Sequence, residues 1–228
     1  MKKNVLVLSF ALASTVASTI VHAEANIKAG KEKATACAGC HGENGNSMVS
    51  TFPKLAQQHS SYLIRQLQTF KDGSRKDPMM SAVAAGLQDD DMKEIAAFYS
   101  AQKISENALP VMNSDQDDDD DAADKTAAAK KSADVPTMIA QGSDLYRNGD
   151  LTREVSACIA CHGPHGEGNK PAAFPSLKSQ HADYLIKALN DFKSGARSNN
   201  PENMMHMIAK KMTDDEIKAV AYHISMMK

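Results

Sequence analysis

The chain has 228 residues, which favours one or two domains. A formal net charge of −2 provides no basic field for nucleic acid, so no nucleic-acid partner is expected. There is no Trp and only 5% of residues are aromatic, so the core is modest unless a cofactor supplies apolar bulk.

Residues 1–23 read as an export signal peptide. Lys2 and Lys3 precede an apolar run over 5–21, and Val21-His22-Ala23 has the small-residue pattern of a cleavage site. The mature chain is expected to begin near Glu24, outside the cytoplasm. The run is short for a spanning helix and carries Ser9, Ser14, Thr15, Ser18 and Thr19, which weighs against a retained anchor.

A short helix over 26–36 is expected to deliver the chain into Cys37-Ala38-Gly39-Cys40-His41. Cys-x-x-Cys-His is the attachment signature of c-type haem. Its two thiols, one helical turn apart, suit thioether bonds to the vinyl groups, and the histidine that follows suits the iron. The motif recurs as Cys158-Ile159-Ala160-Cys161-His162, and these two copies hold all four cysteines of the chain. Two covalent haems are therefore expected, on Cys37 and Cys40 and on Cys158 and Cys161, with His41 and His162 as proximal iron ligands. Two disulfides are the alternative use of four exported cysteines; a histidine directly after both pairs disfavours it.

After the first motif, residues 42–47 are turn-rich. Phe52-Pro53-Lys54-Leu55 follows, and Ser60 or Ser61 suits the cap of a helix to about Lys71, with Leu63, Leu67 and Phe70 on one face. A charged loop leads to Asp77-Pro78-Met79-Met80. A helix is expected from about Asp89 to Gln102, with Met92, Ile95, Ala96 and Tyr99 at helical spacing.

The composition then changes. Across 113–134 eight aspartates, including an unbroken run at 117–121, stand against three lysines and leave a local charge of −5. The stretch reads as a solvated acidic linker, with helix-compatible composition over 122–132.

From Val135 onward the first half repeats. A helix over 140–147 leads to the second motif. Phe174-Pro175-Ser176-Leu177 matches Phe52 to Leu55, and residues 180–186 match 58–64. The last helix starts at Thr213, where Thr213 and Glu216 have capping-box spacing. Gln88 occupies the matching place in the first half and is a poorer cap. The expected organisation is a signal at 1–23, a first domain at 24–112, the linker at 113–134 and a second domain at 135–228. No segment alternates like a strand, so the fold class is all-α, two tandem domains each wrapped around one covalent haem. Domains of this size bury little on their own, and haem then contributes to stability as well as chemistry.

An iron that passes electrons without binding substrate needs a second axial ligand. Thioether sulfur in that position favours Fe(II) and raises the potential. The candidates are Met79 and Met80 in the first half and Met204, Met205 and Met207 in the second. With the last helices aligned, Met80 pairs with Met205 and Met79 with Met204, while Met207 falls opposite Ala82. The repeat alone leaves both pairs open. His59 and His181 also occupy equivalent positions and define a bis-histidine alternative, with a surface or propionate-contacting imidazole as the plainer reading. His165, His206 and His223 have no histidine counterpart in the first half.

Taken together, these motifs closely resemble the dihaem cytochrome c4 family over both domains. The likeness rests on Cys37 to Gly42, Phe52 to Leu55, Tyr62-Leu63, Gln66-Leu67, residues 89–99 and their second-half partners. It implies two class I cytochrome c folds with His/Met ligation, and the family's ligand methionines fall on Met80 and Met205. It also implies that the carbonyls of Pro53 and Pro175 accept from the proximal histidines. By the same resemblance the chain is a periplasmic electron carrier, soluble or loosely membrane-associated, between a quinol-oxidising complex and a terminal oxidase. A dihaem enzyme, such as a peroxidase or a thiosulfate-oxidising cytochrome, and a haem-containing docking subunit are the rival readings. The linker is longer and more acidic than the family pattern, and His59 departs from it.

Overall fold

The computed structural model describes residues 27–110, 125–199 and 201–228. The export signal and the aspartate run at 117–121 lie outside the described residues.

The first half is helical at α1 (27–33), α2 (Thr35–His41), α3 (Ser60–Asp72), α4 (Pro78–Ala85) and α5 (Asp89–Ser100). The second repeats the order with α6 (Lys125–Asn148), α7 (Ile159–His162), α8 (Ala182–Ser194), α9 (Met204–Ala209) and α10 (Asp214–Ser225). Among the described residues there is no strand, only isolated bridges at Asp150–Val155 and Asn169–Phe174.

In each half the first and last helices cross where glycine allows it. A Cβ on Gly30 would meet the Glu94 carbonyl oxygen at 2.0 Å, and one on Gly142 would meet the Ala219 carbonyl oxygen at 2.0 Å. The missing side chain lets α1 lie on α5 and α6 on α10 at backbone contact. The cores form around these crossings. Leu63, Ile95, Phe98 and Tyr99 fill the first, and Tyr146, Leu185, Ile217, Val220 and Ile224 fill the second. Cys37 and Cys158 pack against the edges of these clusters, so each attachment motif grows out of its domain's core.

Four local features differ from expectation. The segment at Asp77-Pro78 starts a helix rather than continuing a loop. Asp77 accepts the Met80 N–H at 2.9 Å as N-cap, and Pro78 sits at the first helical position, where its missing N–H is not needed. Second, α6 starts at Lys125, inside the stretch read as linker; Ala127, Ala128 and Ala129 favour helix, and the helix continues through Pro136. Third, α3 begins at Ser60 with His59 as an N-cap that makes no side-chain cap bond, while Ser61 Oγ donates to the Lys170 carbonyl at 2.6 Å instead. Fourth, α3 buries Gln66 with Leu63 and Phe70, whereas Leu67 is only partly buried. At α10 the expected box forms: Thr213 Oγ1 accepts the Glu216 N–H at 3.2 Å and Glu216 accepts the Thr213 N–H at 2.8 Å.

The two halves meet through bonds that recur with the halves exchanged, as at a two-fold interface. His59 Nε2 donates to the Glu167 carbonyl at 2.7 Å, and His181 Nε2 to the Ser47 carbonyl at 3.0 Å. Arg75 reaches the Tyr184 hydroxyl at 3.3 Å, and Arg197 the Tyr62 hydroxyl at 2.9 Å.

Candidate haem sites

Each Cys-x-x-Cys-His motif sits at the end of a short helix that a glycine terminates. Gly42 and Gly163 have φ of 79° and 76°, a conformation that costs an L side chain, and each turns the chain away directly after the histidine. Both histidines are buried, at 6% exposure for His41 and 8% for His162. His41 Nδ1 lies 2.9 Å from the Pro53 carbonyl oxygen, and His162 Nδ1 lies 3.0 Å from that of Pro175. The carbonyl accepts, so Nδ1 carries the proton and Nε2 is the nitrogen left with a lone pair. Phe52 and Phe174 flank the two rings at centroid distances of 6.4 Å.

Burial lowers the affinity of both imidazoles for a second proton, only partly offset by the proline carbonyls. The neutral ring is the form that binds metal. No disulfide joins Cys37 to Cys40 or Cys158 to Cys161, so both pairs have thiols to give to haem. Burial pushes the Cys37 thiol up and the Cys158 thiol up to about 11, the reverse of what a reactive thiolate needs. The residues present thus fit a covalent haem in each domain: an unbridged thiol pair, an oriented imidazole with one nitrogen to give, and an apolar flank.

The other candidates separate by environment. Met79 is 53% exposed and Met207 is 48% exposed, while Met80, Met204 and Met205 are partly buried. His59 and His181 spend their Nε2 atoms on carbonyls of the opposite half, which gives them an interface role. A feature that sequence reasoning missed is the buried polar group between the domains. Gln66 Oε1 accepts from Arg75 at 2.8 Å, from Arg197 at 3.1 Å and from Asn199 at 2.9 Å. Both guanidinium groups lie 4.4 Å above phenylalanine rings, Arg75 over Phe70 and Arg197 over Phe192. Among the described residues both arginines meet only uncharged oxygens.

Two like domains, each presenting one such motif on its own core, make the class a c-type cytochrome with two haems. The family model for cytochrome c matches residues 27–103 and 139–228. Cytochrome c4 of Azotobacter vinelandii is 37% identical over 215 residues, covering 90% of each chain. A thiosulfate dehydrogenase electron acceptor of Stutzerimonas stutzeri is 35% identical over 193 residues, covering 84% of this chain and 79% of that one. The crystal structure of reduced recombinant cytochrome c4 from Pseudomonas stutzeri superposes with a TM-score of 0.75 at 34% identity, covering 88% of this chain and 98% of that one. The chain belongs to the cytochrome c4 family: it carries two covalent haem c groups and transfers electrons.

Proposed function

We propose that the protein is a periplasmic electron carrier rather than an enzyme, with Cys37 and Cys40 holding one haem and Cys158 and Cys161 the other. His41 and Met80 would bind the iron of the first haem, and His162 and Met205 that of the second. The observation that carries this reading is the equivalence of the two halves. Each orients its histidine on a proline carbonyl, and each offers a partly buried methionine at the same register.

When bound, each haem supplies one iron that cycles between Fe(II) and Fe(III). The protein's part is to hold that iron saturated, dry and fixed in orientation. The proline carbonyls fix the histidine tautomer and strengthen the ring as a donor. The methionine sulfurs are weaker donors and favour the reduced state. In the first half the exposure of Met79 supports Met80. In the second Met204 and Met205 are both partly buried, and the register with Met80 supports Met205.

A carrier of this kind passes electrons between a quinol-oxidising complex and a terminal oxidase. The Stutzerimonas relative suggests a second donor class, a thiosulfate-oxidising enzyme. No helix among the described residues is long and apolar enough to cross a membrane. The decisive experiment substitutes Met80→Ala and Met205→Ala singly in the holoprotein. Each variant is expected to lose one of the two contributions to the far-red sulfur–iron band of the oxidised protein. An unchanged band assigns ligation to Met79 or Met204. Rapid cyanide binding by the resting wild-type protein overturns the carrier reading in favour of an enzyme with an open iron.

A further inference from the structure

We propose that each domain tunes the iron of the other through a glutamine that crosses the interface and grips the peptide behind the partner histidine.

The proline carbonyl that accepts from each histidine is one end of a peptide group. The N–H of the next residue is the other end, and the two are conjugated through a planar bond. The Pro175 carbonyl faces His162 at 3.0 Å, and the Ser176 N–H of the same peptide donates to Gln58 Oε1 of the first domain at 2.9 Å. The Pro53 carbonyl faces His41 at 2.9 Å, and the Lys54 N–H of that peptide donates to Gln180 Oε1 of the second domain at 2.8 Å.

The grip is two-point on both sides. Gln58 Nε2 donates to the Ser176 carbonyl at 2.8 Å, and Gln180 Nε2 to the Lys54 carbonyl at 2.9 Å. Each amide oxygen also accepts from the N–H of the residue after it, His59 and His181, at 3.0 Å. That bond fixes the side chain before it reaches across. Gln58 is 7% exposed and Gln180 is 6% exposed, so water does not compete for these atoms. In such surroundings hydrogen bonds in series polarise one another. An N–H drawn toward the glutamine oxygen makes the carbonyl at the far end a better acceptor, which makes the histidine a better donor to iron. The relay runs from His162 through the Pro175–Ser176 peptide to Gln58, and its mirror runs from His41 through Pro53–Lys54 to Gln180. Both glutamines are positioning residues that touch no iron.

This rests on the assignment of His41 and His162 as ligands, and it predicts a crossed effect. Gln58→Met keeps the side-chain length and removes both cross-domain bonds. It is expected to raise the reduction potential of the iron in the second domain and leave that of the first in place. Gln180→Met is expected to do the converse. Haem-methyl resonances, assigned to each domain by their contacts with Cys37 or Cys158, read the two irons separately in a redox titration of the holoprotein. Ser61→Ala removes another cross-domain bond, to the Lys170 carbonyl, and is expected to shift neither iron.

A shift in the variant's own domain, equal shifts in both, or the same shift from Ser61→Ala overturns the relay. If a glutamine variant does not fold, amide exchange in the wild-type holoprotein decides. Protection of Ser176 and Lys54 equal to that of the most protected core amides supports the grip, and rapid exchange overturns it. Hyperfine-shifted imidazole signals in the oxidised wild-type protein test the ligand assignment independently. Their absence refutes that assignment rather than the relay.

Discussion

Arg197 donates through Nη2 to the hydroxyl of Tyr62 at 2.9 Å, tying a buried cation of the second domain to the first. The same nitrogen reaches Gln66 Oε1 at 3.1 Å, and Nε reaches Asn199 Oδ1 at 3.1 Å. Burial disfavours the charge, and the neighbouring Tyr62 and Tyr184 work against that penalty. A nearby positive charge favours the reduced, less positive iron. Arg197→Met keeps much of the stacking on Phe192 and removes the charge. It is expected to lower at least one reduction potential, on the order of tens of millivolts, the scale of one partly screened charge. It is also expected to cost roughly 1–3 kcal/mol of stability, because Tyr62 and Gln66 each lose a buried partner. A redox titration and a denaturant melt of the same preparation read both effects. Unchanged potentials would remove the arginine from the electrostatics of the irons.

The close crossing of α6 and α10 at Gly142 gives a second expectation. A Cβ there would lie 2.0 Å from the Ala219 carbonyl oxygen and 2.9 Å from the Val220 nitrogen, both backbone atoms that a rotamer change cannot move. Gly142→Val is expected to destabilise the protein by about 1–3 kcal/mol or more, as overpacked cores do. Gly86→Ala serves as the control. Gly86 has ordinary φ, and a Cβ there meets nothing within 4 Å. Thermal melts of the two variants are expected to separate clearly, and a tolerated Gly142→Val would mean that the helices can part without loss.

What could be read from the residues alone follows a physical division. Attachment chemistry is local: Cys37, Cys40 and His41 lie within one helical turn, so their spacing is their signal. The cap at Thr213 and Glu216 is local in the same way. The helix at Pro78 is local too, since Asp-Pro supplies a cap and a first helical residue. Gln66 was not legible. One-face periodicity nominated Leu67, and the burial of Gln66 depends on Arg197 and Asn199, which approach from the other domain. Gln58 and Gln180 escaped for the same reason. A polar side chain whose partners are backbone atoms more than a hundred residues away leaves no pattern in the chain.

The last expectation concerns acid. His181 Nε2 donates to the Ser47 carbonyl across the interface at 3.0 Å. Burial pushes this imidazole below its ordinary value; the Ser47 carbonyl works against that and Asp183 helps it, while Lys54 lowers it further. The folded protein therefore holds His181 neutral where the unfolded chain would begin to protonate it, so the unfolded state binds more protons. Stability from this residue is fully present above the ordinary histidine value of about 6.5 and is lost as pH falls through the lower folded value. Melting temperature is expected to drop as pH is taken from about 7.5 to about 5. His181→Gln puts an uncharged donor in the same place and is expected to flatten part of that slope. His223, held low by burial and by Arg147, supplies part of the remainder. Melts of wild type and variant across this range measure the difference, and an unchanged slope in His181→Gln would mean that the interface does not sense the charge on His181.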